Sequence, residues 1–405
     1  MTWETWRDLL ADERLPAGVV DLDAFDRNAA RLEAMAAGMP IRLATKSVRV
    51  PSLIRRVLER GDAWRGLMSY CAAEAKLLAA QGFDDLLVAY PTLQAADLAD
   101  LRELHEAGTT VSLVVDSGDG VAAAARAMDG VGAPFRVVIE LDASWRPLGG
   151  AMHVGVRRSP VRTADDLAAL LQEVGSHAAL RCIGVMAYEA HIAGLPDRNR
   201  FRRVTSPAFR VVRRLSVRPL ARLRAQVADV FASVGVELEV FNGGGTGSLT
   251  WAARESHLTE LTAGSGLLCP HLFDYYSNLE LEPAGGFALQ VARSSDPGYV
   301  TCQGGGYVAS GEAGRDRLPR PWLPAGLRLV DTEGTGEVQT PLRVPRAGSN
   351  ARSLALGDPV LFRHAKAGEL AERIDEYLLV SGAGTNDARI VERAPTYRGL
   401  GLVTP

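Results

Sequence analysis

The chain has 405 residues, of which 47% are hydrophobic and 23% charged, and its formal net charge at pH 7 is −3. That length is too great for one ordinary hydrophobic core, so we expect two domains. The slightly acidic total gives no electrostatic case for nucleic acid or an anionic membrane, and we expect neither as a partner. The N-terminus lacks the apolar core of a signal peptide, and the four cysteines are scattered without a CxxC pair. These features predict a cytoplasmic protein with reduced thiols.

Residues 17–275 alternate short apolar runs with longer helical patterns. The predicted strands are continuous apolar runs, which is typical of parallel strands buried on both faces. In chain order they are GVVDLD (18–23), IRLAT (41–45), RGLMSY (65–70), DLLVAY (85–90), VSLVVD (111–116), RVVIELD (136–142), IGVMAY (183–188) and LEVFNGG (238–244). This α/β pattern predicts a (β/α)8 TIM-type barrel, with a doubly wound open sheet as the alternative.

Residues 276–405 have a different character, because glycine, proline and short β-type runs replace the helical patterns. Such a segment predicts a second, C-terminal all-β domain with short strands and tight turns. Residues 1–16 are predicted to form an N-terminal helix, and the sequence leaves open which of the two domains it packs on.

Lysine is rare in this chain, which has 42 arginines but only three lysines, at positions 46, 76 and 366. Where arginine supplies almost every positive charge, a retained lysine is a candidate for chemistry that arginine cannot do. A desolvated lysine can lose its proton and attack a carbonyl group. Lys46 directly follows a predicted strand, and the active site of a barrel lies at the C-terminal ends of its strands. The alternative is a solvated or structural lysine.

Two glycine-rich stretches come late in the predicted barrel: FNGGGTGS (241–248) ends the last predicted strand, and TAGSGLL (262–268) follows a little later. The first leaves backbone N–H groups unencumbered by side chains, and Thr246 adds a hydroxyl, so the loop can cradle a phosphate. The alternative is a tight turn that requires positive φ. An early strand-end lysine combined with a late phosphate loop indicates a phosphorylated cofactor that binds a lysine covalently, for which pyridoxal phosphate is the candidate.

The sequence resembles the fold-type III pyridoxal-phosphate enzymes, whose barrel is of the alanine racemase N-terminal type, and among them the D-threonine aldolase and D-serine dehydratase group. The resemblance runs along nearly the whole chain and rests on the order and spacing of its motifs. These are VVDLDAFDRNAARL (19–32), the Lys46 segment, SYCAAEAKLLAAQGFDDLLVAYP (69–91), GVMAYEAH (184–191), FNGGGTGS, TAGSG and VLFRHAKAGEL (360–370).

The resemblance implies roles for individual residues. Lys46 would form an aldimine with the cofactor and, once freed by the substrate, act as an acid–base at Cα. Tyr188 and His191 match family residues near the cofactor ring. The residues implied to bind the cofactor phosphate are Gly244, Gly245, Thr246, Gly264 and Ser265.

Two segments depart from the family pattern. The family's C-terminal domain holds a metal through a histidine and, two residues on, a cysteine or aspartate, whereas here the pair is His364 and Lys366. An ammonium group cannot ligate a cation, so the need for a divalent metal stays open and His364 is a candidate ligand without its usual companion. Either Lys366 supplies a positive charge or a proton to the substrate β-oxygen, or it points elsewhere and His364 is a pocket residue. After the sixth predicted strand, the family's arginine is replaced by His153, with Arg157 nearby.

The activity implied by the resemblance is that of a lyase, which cleaves a β-hydroxy-D-amino acid by retro-aldol chemistry to an amino acid and an aldehyde. A base near His364 would take the β-hydroxyl proton. Elimination of the β-hydroxyl, as in D-serine dehydratase, is one alternative, and racemisation with Tyr188 or His191 as second acid–base is another. A non-catalytic pyridoxal-phosphate-binding regulator is an alternative of a different class. The resemblance also implies a homodimer, with the site between a barrel mouth and the β domain of the partner.

Overall fold

The structure is a computed structural model that describes residues 2–294, 296–345 and 354–403. Eight parallel strands close into a barrel, because each strand pairs with the next and the last pairs with the first. The first nine strands of the chain are β1 (Ala17–Asp21), β2 (Ile41–Ala44), β3 (Trp64–Ser69), β4 (Leu86–Val88), β5 (Val111–Val115), β6 (Phe135–Glu140), β7 (Leu180–Met186), β8 (Val240–Gly243) and β9 (Glu260–Ala263). Strands β2 to β9 form the barrel, which confirms the predicted fold class.

Helices surround the barrel, and their starts carry local signals. Pro51 lies in the first turn of one helix, and Thr163 forms a capping box with Asp166 at the start of another. The helices are α1 (Trp3–Leu9), α2 (Leu22–Ala36), α3 (Pro51–Leu58), α4 (Ala72–Ala80), α5 (Ala95–Glu106), α6 (Gly118–Ala127), α7 (Ala164–Gly175), α8 (Ala190–Ala193), α9 (Thr205–Ser233), α10 (Leu249–Ala252) and α11 (Ser265–Leu268). None of the helices in the described ranges combines the length and apolar character needed to cross a bilayer.

Two strand assignments made from the sequence are wrong. Residues 18–23 were predicted to start the barrel, but β1 pairs antiparallel with residues 285–288 and parallel with residues 377–380, outside the barrel. A continuous apolar run reads the same at the centre of a mixed sheet as in a parallel barrel, because both environments bury its two faces. The eighth barrel strand is instead β9, which the sequence did not predict.

Strand β9 escaped prediction because two of its four residues are polar, which hides the apolar pattern. Glu260 accepts hydrogen bonds from Arg42 at 2.7 and 2.9 Å, and Thr262 exchanges hydrogen bonds with Asn242. All four side chains are buried inside the barrel wall. The ion pair and the amide–hydroxyl pair let these polar groups lie in the interior without a large desolvation penalty.

The second sheet, which we call the β domain, has nine strands and is mostly antiparallel. Its order is β13-β14-β11-β10-β1-β16-β17, with β15 pairing to β10 and β12. Its C-terminal strands are β10 (Gly285–Arg293), β11 (Tyr299–Gln303), β12 (Arg320–Leu323), β13 (Arg328–Leu329), β14 (Gln339–Arg343), β15 (Pro359–Arg363), β16 (Glu376–Ser381) and β17 (Arg389–Pro395). The all-β character predicted for the C-terminal part is confirmed, whereas the boundary at residue 275 stays a prediction.

The N-terminal helix packs on the β domain. Trp3 and Trp6 are buried in an apolar cluster with Leu361 and Leu378 of the sheet. The indole N–H of Trp3 donates to the carbonyl oxygen of Pro359 at 2.9 Å. The sequence did not show which domain this helix packs on. The indole hydrogen bond and the shared apolar cluster show that it is the β domain.

A strongly basic segment interrupts the nearly neutral chain. Residues 198–224 contain ten arginines and no acidic residue. Much of this segment lies on α9, where Arg214, Arg218 and Arg222 are exposed. The low net charge of the chain does not exclude an anionic partner at this segment, because net charge averages over local clusters of opposite sign.

Candidate active site

The C-terminal ends of the barrel strands open into a cavity with two adjoining parts. An inner pocket of about 120 Å³ lies among the strand ends, and an outer pocket of about 460 Å³ lies between the barrel mouth and the β domain. The predicted site residues that line this cavity are Lys46, Tyr188, Gly244, Gly245, Thr246, Gly264, Ser265 and Lys366. His191 and His364 are not among the lining residues. The chain's own β domain lines the outer pocket, and a contribution from a partner's β domain stays a prediction.

Lys46 enters the cavity from a single helical turn directly after β2. Its Nζ donates a hydrogen bond to the hydroxyl oxygen of Tyr90 at 2.6 Å. Burial raises the pKa of Tyr90, but the Lys46 and Arg158 cations outweigh burial and leave that pKa below its ordinary value. Tyr90, which the sequence reading missed, is therefore the hydrogen-bond acceptor of Lys46, and its phenol is more acidic than that of an isolated tyrosine.

The glycine loops approach their neighbours too closely for any side chain. A Cβ atom on Gly247 would lie 2.1 Å from the carbonyl oxygen of Ala193, and one on Gly264 would lie 2.6 Å from that of Ala44. The hydroxyl of Thr246 joins the two loops, because it accepts from the Gly266 N–H at 3.3 Å and lies 3.2 Å from the Ser265 hydroxyl. The loops therefore form a cradle of backbone and hydroxyl groups, which is suited to an anion.

The backbone donors of the first loop are available to a ligand. Within the described part of the chain, the amide N–H groups of Thr246 and Gly247 have no protein acceptor. Both residues line the outer pocket. Buried backbone donors are nearly always paired, so these two favour a bound acceptor such as phosphate.

A buried ion pair that the sequence analysis missed supports the first loop. Glu189 and Arg224 have fully buried side chains and form a salt bridge. Glu189 also accepts from the Gly244 N–H at 3.0 Å and from the Ser248 hydroxyl. Burial raises the pKa of Glu189, but Arg224 and these two donors outweigh burial and lower it below the ordinary value. The sequence position of Glu189 could have indicated a role in the site, since it directly follows Tyr188 at the end of a buried strand.

The loop after β6 contributes Arg158 to the inner pocket, not Arg157. The Arg158 guanidinium carbon lies 5.7 Å from the ring centroid of Tyr90 and 5.5 Å from that of Tyr188. Burial raises the pKa of Glu140 to about 7, although Arg158, 3.9 Å away, opposes that shift. The sequence located the correct loop, but only the fold decides which of two consecutive arginines faces inward.

The two predicted histidines are buried and neutral at physiological pH. Burial lowers the pKa of His191, on α8, to about 4 and that of His364, after β15, to about 3. Among the described residues, neither ring nitrogen of His191 has a hydrogen-bond partner. His364 directly precedes the segment that lines the outer pocket, whereas His191 lies behind the pocket wall, beside Glu189.

Lys366 lines the outer pocket at the β-domain side. Its Nζ lies 2.9 Å from the Ser310 hydroxyl and 2.9 Å from a carboxylate oxygen of Glu369. This ammonium does not fit a metal-ligand role beside His364. Across residues 2–294, 296–345 and 354–403, no group of three or more His, Cys, Asp or Glu side chains is placed to hold a metal ion. The four cysteines are free thiols, as predicted.

Residues 20–269 match the family model described as alanine racemase, N-terminal domain. The chain belongs to this family. Membership implies pyridoxal phosphate as the cofactor, and the cavity fits it: a lysine at one end, and at the other a cradle that excludes side chains and offers free N–H donors.

Two curated proteins and one solved structure extend this finding. The chain is 27% identical to D-threonine aldolase of Arthrobacter sp over 260 residues, which cover 64% of this chain and 62% of that protein. It is 24% identical to 3-hydroxy-D-aspartate aldolase of Paracoccus denitrificans (strain Pd 1222) over 261 residues, which cover 62% of this chain and 59% of that protein. These matches span about three fifths of each relative. The crystal structure of D-threonine aldolase from Filomicrobium marinum superposes with a TM-score of 0.79 at 22% identity, covering 97% of this chain and 98% of that one, and shows the shared fold.

Proposed function

We propose that this protein is a pyridoxal-phosphate-dependent lyase that cleaves a β-hydroxy-D-amino acid by retro-aldol chemistry. The observation that carries the proposal is that Lys46 and both glycine loops line one cavity. The names of the two curated relatives, both aldolases of β-hydroxy-D-amino acids, support the reaction class. A phosphorylated cofactor that is held covalently requires both a lysine and a site that binds its phosphate.

Lys46 would hold the cofactor, with Gly244, Gly245, Thr246, Gly264 and Ser265 around its phosphate. When bound, pyridoxal phosphate supplies an electron sink for the negative charge that develops at Cα. Tyr188, whose pKa burial raises to about 12, would stay a neutral hydrogen-bond donor or acceptor beside it.

Retro-aldol cleavage breaks the Cα–Cβ bond, while the β-hydroxyl loses its proton and the β-carbon leaves as an aldehyde. The ammonium of Lys366 has one donor beyond those directed at Ser310 and Glu369, and would donate a hydrogen bond to the β-oxygen. A base near the neutral His364 would take the hydroxyl proton. Lys46, paired with Tyr90, would then return a proton to Cα. His191 stays a prediction as a second acid–base.

Absorbance spectroscopy tests the cofactor assignment. Pyridoxal phosphate added to the apoprotein should give the visible band of a lysine-bound cofactor, and Lys46→Ala should abolish it. A Lys46→Ala protein with the same band would sink the assignment.

A product panel tests the reaction. D- and L-β-hydroxy-amino acids should give aldehyde only with the D series. Keto acid and ammonia would instead identify elimination, and inverted amino acid would identify racemisation. A protein that has the band but forms no product would be a regulator.

We also infer a homodimer, as the family resemblance implies. The molar mass in solution, measured by sedimentation equilibrium, should be about twice that of the 43.3 kDa chain. A monomer that turns over substrate would contradict this inference.

A further inference from the structure

Four cations and one carboxylate line the outer pocket. The cations are Lys46, Arg49, Arg317 and Lys366, and the carboxylate is Glu369. Arg49 forms an ion pair with Glu372, and Lys366 forms one with Glu369. Lys46 is committed to Tyr90 and, under the proposed function, to the cofactor. Arg317 is therefore the one cation of these four for which a negatively charged partner has not yet been named.

Arg317 has no acidic partner in the described part of the chain. Its Nε is buried and has no hydrogen-bond partner among the described residues. The two neighbouring charged residues are engaged elsewhere, because Arg315 pairs with Asp331 at 3.1 Å and the buried Asp316 accepts from Asn199 at 2.8 Å. Leaving a partly buried cation unpaired costs free energy, so an unpaired arginine that faces a cavity indicates an anionic ligand.

The segment around Arg317 is held in place by the backbone. The Arg317 carbonyl accepts from the Ala309 N–H at 2.9 Å, and the Arg317 N–H donates to the Gly314 carbonyl at 3.0 Å. A Cβ atom on Gly311 would lie 3.6 Å from the guanidinium carbon. The adjacent Ser310 binds Lys366 and Glu369, so Arg317 and the neutralised Lys366–Glu369 pair flank one short turn.

Glu369 keeps Lys366 from competing for the same anion. Burial raises the pKa of Glu369, but the Ser310 donors and Lys366 outweigh burial and lower it, so the carboxylate stays ionised. The Ser310 N–H and hydroxyl donate to it at 2.7 and 2.6 Å. The pair is nearly neutral as a unit, which leaves Arg317 as the uncompensated charge on this side of the pocket.

We propose that Arg317 binds a carboxylate of the amino-acid substrate, and that it determines the acceptance of carboxylate ligands at this site. The assignment rests on the proposed function. A guanidinium group presents two parallel N–H donors that match the two oxygens of a carboxylate. The cofactor phosphate has its own cradle in the glycine loops, whereas Arg317 belongs to the β-domain side of the pocket.

The test measures ligand binding, not turnover. D-Alanine and D-aspartate lack a β-hydroxyl and cannot undergo retro-aldol cleavage, so each is titrated into the holoenzyme and its Kd is read from the cofactor absorbance. Arg317→Gln should raise the Kd at least about tenfold, since a hydrogen bond to a charged group is lost. Arg317→Lys should restore part of the affinity. Arg315→Gln, an exposed neighbour paired with Asp331, is the matched control and should change nothing.

The pattern of losses distinguishes the sources of the anion. Equal losses for both ligands assign the α-carboxylate, and a loss for D-aspartate alone assigns the side-chain carboxylate; either supports the proposal. Weaker binding of pyridoxal phosphate with unchanged Kd for both ligands would assign Arg317 to the phosphate and overturn it. Unchanged Kd for everything would also overturn it. A wild-type protein that shows no cofactor band refutes the proposed function itself.

Discussion

The Nζ of Lys46 lies 2.6 Å from the hydroxyl oxygen of Tyr90, and this hydrogen bond joins the C-terminal ends of β2 and β4. The two residues are 44 positions apart. The ammonium donates this hydrogen bond and, together with Arg158, lowers the pKa of the phenol against the opposing effect of burial.

The variant Tyr90→Phe should keep the cofactor band, because Lys46 is unchanged, but lose the proton partner of the lysine. We expect kcat to fall at least about tenfold, the value of one hydrogen bond to a charged group. Steady-state kinetics and the absorbance spectrum measure the two effects separately. Tyr299→Phe, in β11 of the β domain, serves as the control. An unchanged kcat in Tyr90→Phe would show that the pair has no role in turnover.

The buried pair of Glu189 and Arg224 should contribute strongly to stability and to the shape of the phosphate loop. Glu189→Gln removes one of the two carboxylates that pair with the fully buried Arg224 and leaves Glu255, 3.2 Å away, as its remaining counter-charge. We expect the free energy of unfolding to fall by about 1.5–3 kcal/mol, the value of a hydrogen bond to a charged group. Urea denaturation measures the loss, and pyridoxal-phosphate titration should show weaker binding.

The control for that experiment is an exposed pair. Arg7 and Asp8 have side chains that are 44% and 74% exposed, so Asp8→Asn should change the unfolding free energy by less than about 1 kcal/mol. Equal effects of Glu189→Gln and Asp8→Asn would contradict a special contribution of the buried pair.

Glu74 should make the stability of the protein fall as the pH rises towards neutrality. It is fully buried on α4, and burial raises its pKa from 4.5 to about 7 against the opposing effect of hydrogen bonds from Thr45 and Tyr70. The folded state thus holds a proton between about pH 4.5 and 7 that the unfolded state has released. The unfolding free energy should fall by about 3 kcal/mol across that window through this group and then level off.

The variant Glu74→Gln isolates this contribution, because its side chain does not titrate. Urea denaturation at pH 5, 6, 7 and 8 should show the variant gaining stability relative to the wild type by about 3 kcal/mol as the pH rises. A stability difference that is the same at every pH would mean that Glu74 is ionised throughout.

Metal dependence follows from the donor chemistry at His364 and Lys366. Since an ammonium cannot ligate a cation, we expect activity to survive exhaustive chelation. Lys366→Ala should lower kcat by about a hundredfold, the lower range for a positioned acid–base group. Lys76→Ala, the loss of a lysine paired with Asp100 and Glu103, is the control and should leave kcat unchanged. Inhibition by chelator that a divalent ion reverses would refute the metal-free reading.

Local patterns were sufficient for the fold class and for the two ends of the cavity. Lys46 and the first glycine loop each follow an apolar strand directly, and the ends of parallel barrel strands meet on one face. Segments that follow barrel strands therefore lie on the same face of the barrel. Lys46 and the glycine loop meet there even if another strand of the barrel is assigned incorrectly. Lys46 and the glycine loops line one cavity even though β1 was wrongly counted as the first barrel strand.

The sequence alone determined the barrel and placed Lys46 and the first glycine loop at the ends of its strands, because periodicity and glycine content are properties of short segments. Only the tertiary structure decided that β1 belongs to the β domain, that Arg158 and not Arg157 faces the pocket, and that Arg317 and Lys366 line the same outer pocket. Strand partners, the inward face of a loop and the pairing of charges are set by contacts between segments far apart in the chain. The sequence around an apolar run or an arginine does not show which distant strand or charged group it will contact in the folded chain.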